Sequence, residues 1–145
     1  MKTAQTEKFK RPWPVEKSER MQYHMQKAFP EALVCARPDL ERILTNHEKD
    51  RHVLATAIQG KASVICTFNL KDFPLAFVEP HKVKVKHPAD FLIDLYTVEP
   101  GVVVDKLQKL AEKRGLTAQQ MLIRLGKYVP EFCDHLTEEL GWQVD

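Results

Sequence analysis

The chain has 145 residues, of which 43% are hydrophobic and 29% charged, with a formal net charge of +2. That length and balance fit one soluble domain able to bury a core without disulfide or metal staples, and they exclude a disordered chain. No apolar run approaches the roughly 18 to 20 residues of a membrane span, and so weak a charge demands neither nucleic acid nor an anionic membrane. The polar start MKTAQTEKFKRPWP lacks the apolar stretch of a signal peptide, which argues against secretion. Cys35, Cys66 and Cys133 are odd in number, and two of them sit in apolar runs. They suit reduced, packed thiols in a cytoplasmic protein better than a disulfide framework.

Arg11-Pro12-Trp13-Pro14 restricts the backbone and predicts an extended lead-in. Met21, Met25 and Ala28 stand at helical spacing and predict a helix over 15–28, stopped by Pro30. Ala32 to Ala36 is a short apolar run suited to a buried strand, and a helical turn is expected around Asp39 to Leu44. Thr45 followed three positions later by Glu48 has the form of a capping box, opening a helix that runs to Gln59 and ends at Gly60. Ala62 to Phe68 is a second candidate buried strand, β-branched and almost free of charge. Val83 and Val85 alternate with Lys82, Lys84 and Lys86, which predicts a strand with its lysines outward. Pro88-Ala89-Asp90 then opens a helix reaching about Tyr96.

From Gly101 onward the pattern is wholly helical. Val103, Leu107 and Leu110 make one stripe closed by Gly115; a Thr117/Gln120 capping box opens a second helix through Met121, Leu122 and Leu125; Phe132, Leu136 and Leu140 make a third stripe. Strands alternating with helices, followed by helices alone, predict an α/β domain over 1–100 with a parallel sheet and a helical extension over 101–145. No glycine-rich phosphate loop occurs, which excludes P-loop and dinucleotide-binding readings.

The chemistry lies in the middle of the chain. Asp50 heads an apolar helical face continued by Val53, Leu54, Ala57 and Ile58, and so should point toward the sheet. Asn69 and Asp72 follow directly on the Ala62 to Phe68 strand, at the carboxyl end where open α/β sheets place their ligands. Two carboxylates brought together repel unless a proton or cation intervenes, and oxygen-only donors favour a hard ion such as Mg²⁺ or Mn²⁺. Each acid also has a plainer reading: Asp50 as a first-turn acid complementing the helix dipole, and Asp72 as a helix cap.

Two segments carry a resemblance. Lys49-Asp50-Arg51-His52-Val53-Leu54-Ala55-Thr56-Ala57 and Val64-Ile65-Cys66-Thr67-Phe68-Asn69-Leu70-Lys71-Asp72-Phe73-Pro74, in that order and at that separation, resemble the PIN-domain ribonucleases of the VapC-toxin type. Residues 25–36 and 83–95 continue the likeness, which covers most of 7–96. The C-terminal helices resemble an extension that some members carry.

The resemblance implies a three-layer α/β fold with a short parallel sheet and a metal-dependent endoribonuclease restrained by an antitoxin. Three or four acidic residues would hold one or two Mg²⁺ or Mn²⁺ ions that activate water against an RNA phosphodiester. Carried over by position, Asp50 and Asp72 match two catalytic, metal-holding acids, Thr67 and Asn69 match supporting polar positions, and Glu7 matches an acid on an early helix. Members begin with an apolar strand ending in Asp and then a helix, ahead of the region matching Glu7. This sequence shows neither, so the expected fold is truncated at the N-terminus and lacks the first metal-binding Asp. The isolated chain is then one half of a split enzyme completed by a second chain, a truncated product or one with a wrongly assigned start, or a non-catalytic module that binds antitoxin, RNA or a complementing chain and covers the gap by rearranging or as a homodimer.

Other features are less specific. Lys82, Lys84 and Lys86, with His81 and His87, fit RNA phosphates, and they equally fit an edge strand guarded by lysine against aggregation. His47, Asp50 and His52 do not make a zinc site, since no further His or Cys has ligand spacing. A cysteine nucleophile is disfavoured because apolar strands raise the pKa of Cys35 and Cys66. Trp13 between prolines fits surface packing better than base stacking.

Overall fold

The computed structural model describes residues 14–35 and 37–142. The chain clusters into two compact units, Met1–Ala36 and Arg37–Asp145.

In the first unit, helix α1 (Val15–Ala28) forms as the Met21/Met25 spacing predicts, and Phe29 N–H closes its end on the Met25 carbonyl at 2.8 Å. None of its residues is buried, so its apolar stripe stays exposed. The strand expected over Ala32–Ala36 does not form. Pro30 opens a 3₁₀ turn, Pro30–Ala32, and Leu33 to Cys35 continue without regular structure; Ala36 lies outside the described residues. β-branched and apolar residues become a strand only against a neighbour, and among the described residues nothing pairs with this run. Cys35 is accordingly exposed, against the expectation of a packed thiol.

The second unit starts with α2 (Pro38–Ile43), its proline at the first helical position. The expected Thr45/Glu48 capping box is absent. Leu44 and Asn46 are both buried and Thr45 between them is exposed, so the chain runs extended here and carries the Thr45 hydroxyl outward. Glu48 is the first residue of a 3₁₀ turn, Glu48–Asp50, with no side-chain cap, not the third residue of a helix. Helix α3 (Arg51–Gln59) follows and buries Leu54, Ala55 and Ala57. Its end is sealed by the Ala62 N–H on the Ala57 carbonyl at 2.8 Å, and the left-handed residue is Lys61 (φ 53°), not Gly60.

Strand β1 (Val64–Cys66) is shorter than the Ala62–Phe68 run. It pairs in parallel with β2 (Lys84–Lys86), Ile65 opposite Val85, which bears out the parallel sheet. Between them lie a 3₁₀ turn, Leu70–Asp72, and the short helix α4 (Leu75–Val78). Lys82 stands outside β2 in the left-handed region (φ 58°). Leu54, Ile65, Phe73, Val78 and Val83 form the core that clamps α3 and α4 to the sheet.

Four helices complete the unit: α5 (Pro88–Val98), α6 (Pro100–Glu112), α7 (Ala118–Leu125) and α8 (Pro130–Leu140). His87 caps α5, its Nδ1 accepting from the Ala89 N–H at 3.2 Å. The Thr117/Gln120 capping box is present with both reciprocal bonds, at 3.1 and 3.0 Å. Gly141 ends α8 with φ 63°, where any side chain would be strained. Ala89 and Tyr96 of α5 join Leu107, Leu122, Phe132 and Leu136 in a second apolar core, so α5 leads directly from the sheet into the helical bundle. The whole is a mixed α/β protein, mostly helical, with a two-stranded parallel sheet, consistent with a PIN-like fold. Among the described residues no helix is long and apolar enough to cross a membrane.

Candidate functional site

At the carboxyl end of β1 the backbone leaves the sheet in a series of short-range bonds. Thr67 N–H donates to the Lys86 carbonyl at 3.0 Å, the last rung toward β2. The Thr67 hydroxyl oxygen then accepts from the Asn69 N–H at 3.0 Å, and the Asn69 carbonyl accepts from the Asp72 N–H at 3.1 Å. The Asn69 side-chain amide donates to Asp72 Oδ2 at 2.8 Å. Thr67 and Asn69 therefore act as one brace: the strand end fixes Thr67, Thr67 fixes Asn69, and Asn69 holds Asp72 by its backbone N–H and by its carboxylate. Phe73, buried directly after Asp72, anchors the other end of the turn in the core.

Asp50 reaches the same place from α3. It closes the Glu48–Asp50 turn and precedes Arg51, yet its side chain makes no capping bond to the helix. Asp72 caps no helix either, since α4 is preceded by Pro74. The plainer reading of Asp72 as a helix cap thus falls away, while Asp50, at the N-cap position of α3 without a capping bond, still stands where an acid complements the helix dipole. Lys49 Nζ lies 3.8 Å from Asp50 Oδ2 and 3.4 Å from Asp72 Oδ2, so one ammonium stands between the two acids. The Asp50 side chain is 15% exposed and that of Asp72 25%, while that of Lys49 is 60% exposed. Asp50 Oδ2 is itself buried and accepts no hydrogen bond.

Sequence reasoning missed two residues here. Lys49 adjoins Asp50 in the chain, but nothing in periodicity or spacing says that its side chain will bridge to Asp72. Asn46 is 2% exposed, and neither its side-chain nitrogen nor its oxygen has a partner, a cost of about 1–3 kcal/mol for each such group. Its backbone carbonyl accepts from Arg51 Nε at 2.9 Å, which ties the turn before Asp50 to the helix after it. A small polar residue two positions after a core leucine was the available signal, and it reads as a turn.

The remaining candidates separate from the site or from each other. Glu7 lies outside the described residues. Lys86 is engaged by Asp94 of α5, which leaves Lys82 and Lys84 as the exposed cations of the β2 edge. His47 and His52 are exposed, and among the described residues no group of three or more His, Cys, Asp or Glu converges as a metal site. Cys66 is exposed, not packed as its strand suggested, although partial burial still pushes its thiol pKa up. That shift works against a nucleophilic role.

The donors assembled around Asp50 and Asp72 are oxygens only, including a buried carboxylate oxygen with no hydrogen bond. In chemical type they fit part of a hard divalent cation's shell.

Sequence comparison gives one curated relative. Over 98 residues the chain is 40% identical to a Mycobacterium tuberculosis protein named "Putative ribonuclease VapC50". The match takes in 66% of this chain and 58% of that protein, so the chain spans little more than half of its relative's length. No protein-family model matches the sequence, and no solved structure matches it significantly.

Proposed function

We propose that this chain, by sequence kinship a member of the VapC-type PIN-domain family, is an endoribonuclease of the toxin type in which Asp50 and Asp72 supply two of the carboxylates that hold Mg²⁺ or Mn²⁺. The observation that carries the reading is the meeting of these two acids around one ammonium at the carboxyl end of β1, with neither making a helix-capping bond. When bound, such an ion supplies an activated water and neutralises charge developing on a phosphodiester. The chain's own residues do the positioning. Asn69 fixes the rotamer of Asp72, Thr67 fixes Asn69, and the Arg51 bond to the Asn46 carbonyl steadies the turn that presents Asp50. RNA is the substrate class and an antitoxin the restraining partner; Lys82 and Lys84 on the β2 edge are available to phosphates.

A second reading rests on a specific observation. Two carboxylates are fewer than the family's three or four, and among the described residues no third acid joins them. On this reading the chain is a PIN-like module that binds antitoxin, RNA or a complementing chain without cutting. The edge of β1 away from β2 has no partner among the described residues, and strand addition there is the physical route to completion by a second chain.

The deciding experiment is cleavage of single-stranded RNA by the purified chain with Mn²⁺ and with EDTA. Asp50→Asn and Asp72→Asn are run beside it, and Mn²⁺ binding is measured calorimetrically on all three. Metal-dependent cleavage lost in both variants establishes the enzyme. Neither cleavage nor Mn²⁺ binding establishes the non-catalytic module, and cleavage that survives both substitutions belongs to a contaminant.

A further inference from the structure

The turn that holds Asp72 also carries an exposed aromatic ring. Phe68 closes the apolar run that predicts a buried strand, yet β1 ends at Cys66 and Phe68 is 61% exposed. Its backbone is held from both sides. Thr67 N–H makes the last rung to the Lys86 carbonyl at 3.0 Å, and the Thr67 hydroxyl accepts from the Asn69 N–H across Phe68 at 3.0 Å. The ring leans on His87, with 5.2 Å between centroids and the planes at 81°. His87 is itself fixed, since its Nδ1 accepts from the Ala89 N–H and caps α5. A perpendicular pair of this kind covers at most one face of the phenyl ring, so the other face is left to solvent on a side chain that the sheet edge and α5 hold in place.

A single exposed apolar residue is ordinary, and the position of this one carries the meaning. Phe68 stands between Thr67 and Asn69, the two residues that brace Asp72. The Asn69 carbonyl accepts from the Asp72 N–H at 3.1 Å, which closes a turn whose ends lie within about 7 Å of each other. Consecutive α-carbons are about 3.8 Å apart, so that of Phe68 is at most about 11 Å from that of Asp72. Lys71, on the same turn, is exposed and has no ion-pair partner among the described residues. A flat ring and an unpaired ammonium on one turn are the parts of a single-strand site, in which bases stack on aromatic faces while cations follow the phosphates. Within 67–72 only Leu70 adds exposed apolar surface, and Asn69 and Lys71 interrupt it. So broken a surface suits a base between phosphates better than the broad apolar contact of a protein partner.

We infer that Phe68 is the stacking platform for an unpaired base of single-stranded RNA beside the Asp50/Asp72 site, with Lys71 on a flanking phosphate. The inference rests on the reading of this chain as one that acts on RNA. The test is fluorescence anisotropy of a labelled decauridylate, and of an abasic strand of the same length, in Ca²⁺ and in EDTA. The wild-type chain is compared with Phe68→Ala, Phe68→Leu and Phe68→Trp; the position is exposed, and circular dichroism checks that each variant folds. Phe68→Ala and Phe68→Leu should bind decauridylate roughly 5- to 150-fold more weakly, the loss expected for one stacked base, and should bind the abasic strand as the wild type does. Phe68→Trp should keep the affinity. Its added fluorescence, over the background of Trp13 and Trp142, should be quenched by decauridylate and not by the abasic strand. A Phe68→Leu variant that binds decauridylate like the wild type overturns the inference, because an apolar filler then serves as well as a ring. Binding of decauridylate indifferent to all three substitutions overturns it too, and leaves Phe68 to a protein partner. A wild-type chain that binds neither strand refutes the RNA reading itself and the inference with it, so the two failures are told apart.

Discussion

Replacing Lys49 by Gln tests the carboxylate site at its most specific feature. The Lys49 ammonium sits 3.4 Å from Asp72 Oδ2 and 3.8 Å from Asp50 Oδ2, where a divalent cation shared by the two acids would have to displace it. In bulk water, opposite unit charges at about 4 Å attract by about 1 kcal/mol, and by several times more at a lower effective dielectric. Lys49 is 60% exposed, which keeps each contact near the lower end of that range; exposed pairs measure roughly 0.2–1 kcal/mol. Two contacts together give roughly 0.5–2 kcal/mol, equivalent to a factor of about 2 to 30 in a binding constant. Lys49→Gln should therefore bind Mn²⁺ about 2- to 30-fold more tightly than the wild-type chain in calorimetry, and Lys49→Arg, which keeps the charge, should not. The metal-free Lys49→Gln protein should melt slightly lower, since the acids lose their counter-charge, and Mn²⁺ should recover the difference. Unchanged or weaker Mn²⁺ binding by Lys49→Gln would refute the view of Lys49 as an internal competitor for the site.

Further outcomes follow from the packing and the thiols. Leu136 of α8 is fully buried, and Leu136→Ala should cost about 2.5–5 kcal/mol in urea unfolding, whereas Leu110→Ala at an exposed position of α6 should cost under about 1 kcal/mol. A maleimide at neutral pH should label Cys35 and Cys66 in the folded chain and spare Cys133, which is buried and donates to the Leu122 carbonyl at 3.2 Å; labelling of all three before unfolding would contradict the packing of α7 on α8. Burial, with the nearby Asp134 charge, pushes the Cys133 thiol from 9.0 up to about 11. The unfolded thiol therefore ionises first, so this group favours unfolding as pH rises from about 9 toward 11. Cys133→Ser should flatten that part of the stability profile.

The helices were legible where their signals are local. Thr117 and Gln120 have the right types at the right spacing, nothing else claims Thr117, and the box forms with both bonds. Thr45 and Glu48 show the same signature and form nothing. Leu44 at 5% exposure and Asn46 at 2% pull the chain into an extended path with a two-residue alternation, and the hydroxyl between them is turned away from the helix it would cap. Tertiary burial outweighs a cap worth about 1 kcal/mol, and a sequence pattern cannot show which neighbours will be buried. The failed strand at Ala32–Ala36 has the same origin. Its residues have the propensity, but a strand is a pairing, and the pairing is a property of other segments.

The site divides along the same line. Asp72 was legible because β1 ends where it does: a strand terminus followed by Thr67, Asn69 and Asp72 dictates a tight turn closed by backbone and side-chain bonds among those three residues, each spanning three positions or fewer in sequence. Asp50 was legible from the direction of its helix face. What joins the two acids was not. Lys49 reaches Asp72 across twenty-three positions, and its bridging depends on α3 and the Leu70–Asp72 turn being set side by side by Leu54, Ile65 and Phe73 beneath them. Those core residues explain why a site of exposed and half-exposed side chains keeps its geometry: the charged groups sit on short turns, and each turn has a buried residue close by in the chain, Phe73 directly after Asp72 and Asn46 four residues before Asp50. Weakening that support, as Phe73→Ala would, should separate the carboxylates without removing either, and should lower Mn²⁺ affinity in a protein that still carries every candidate ligand.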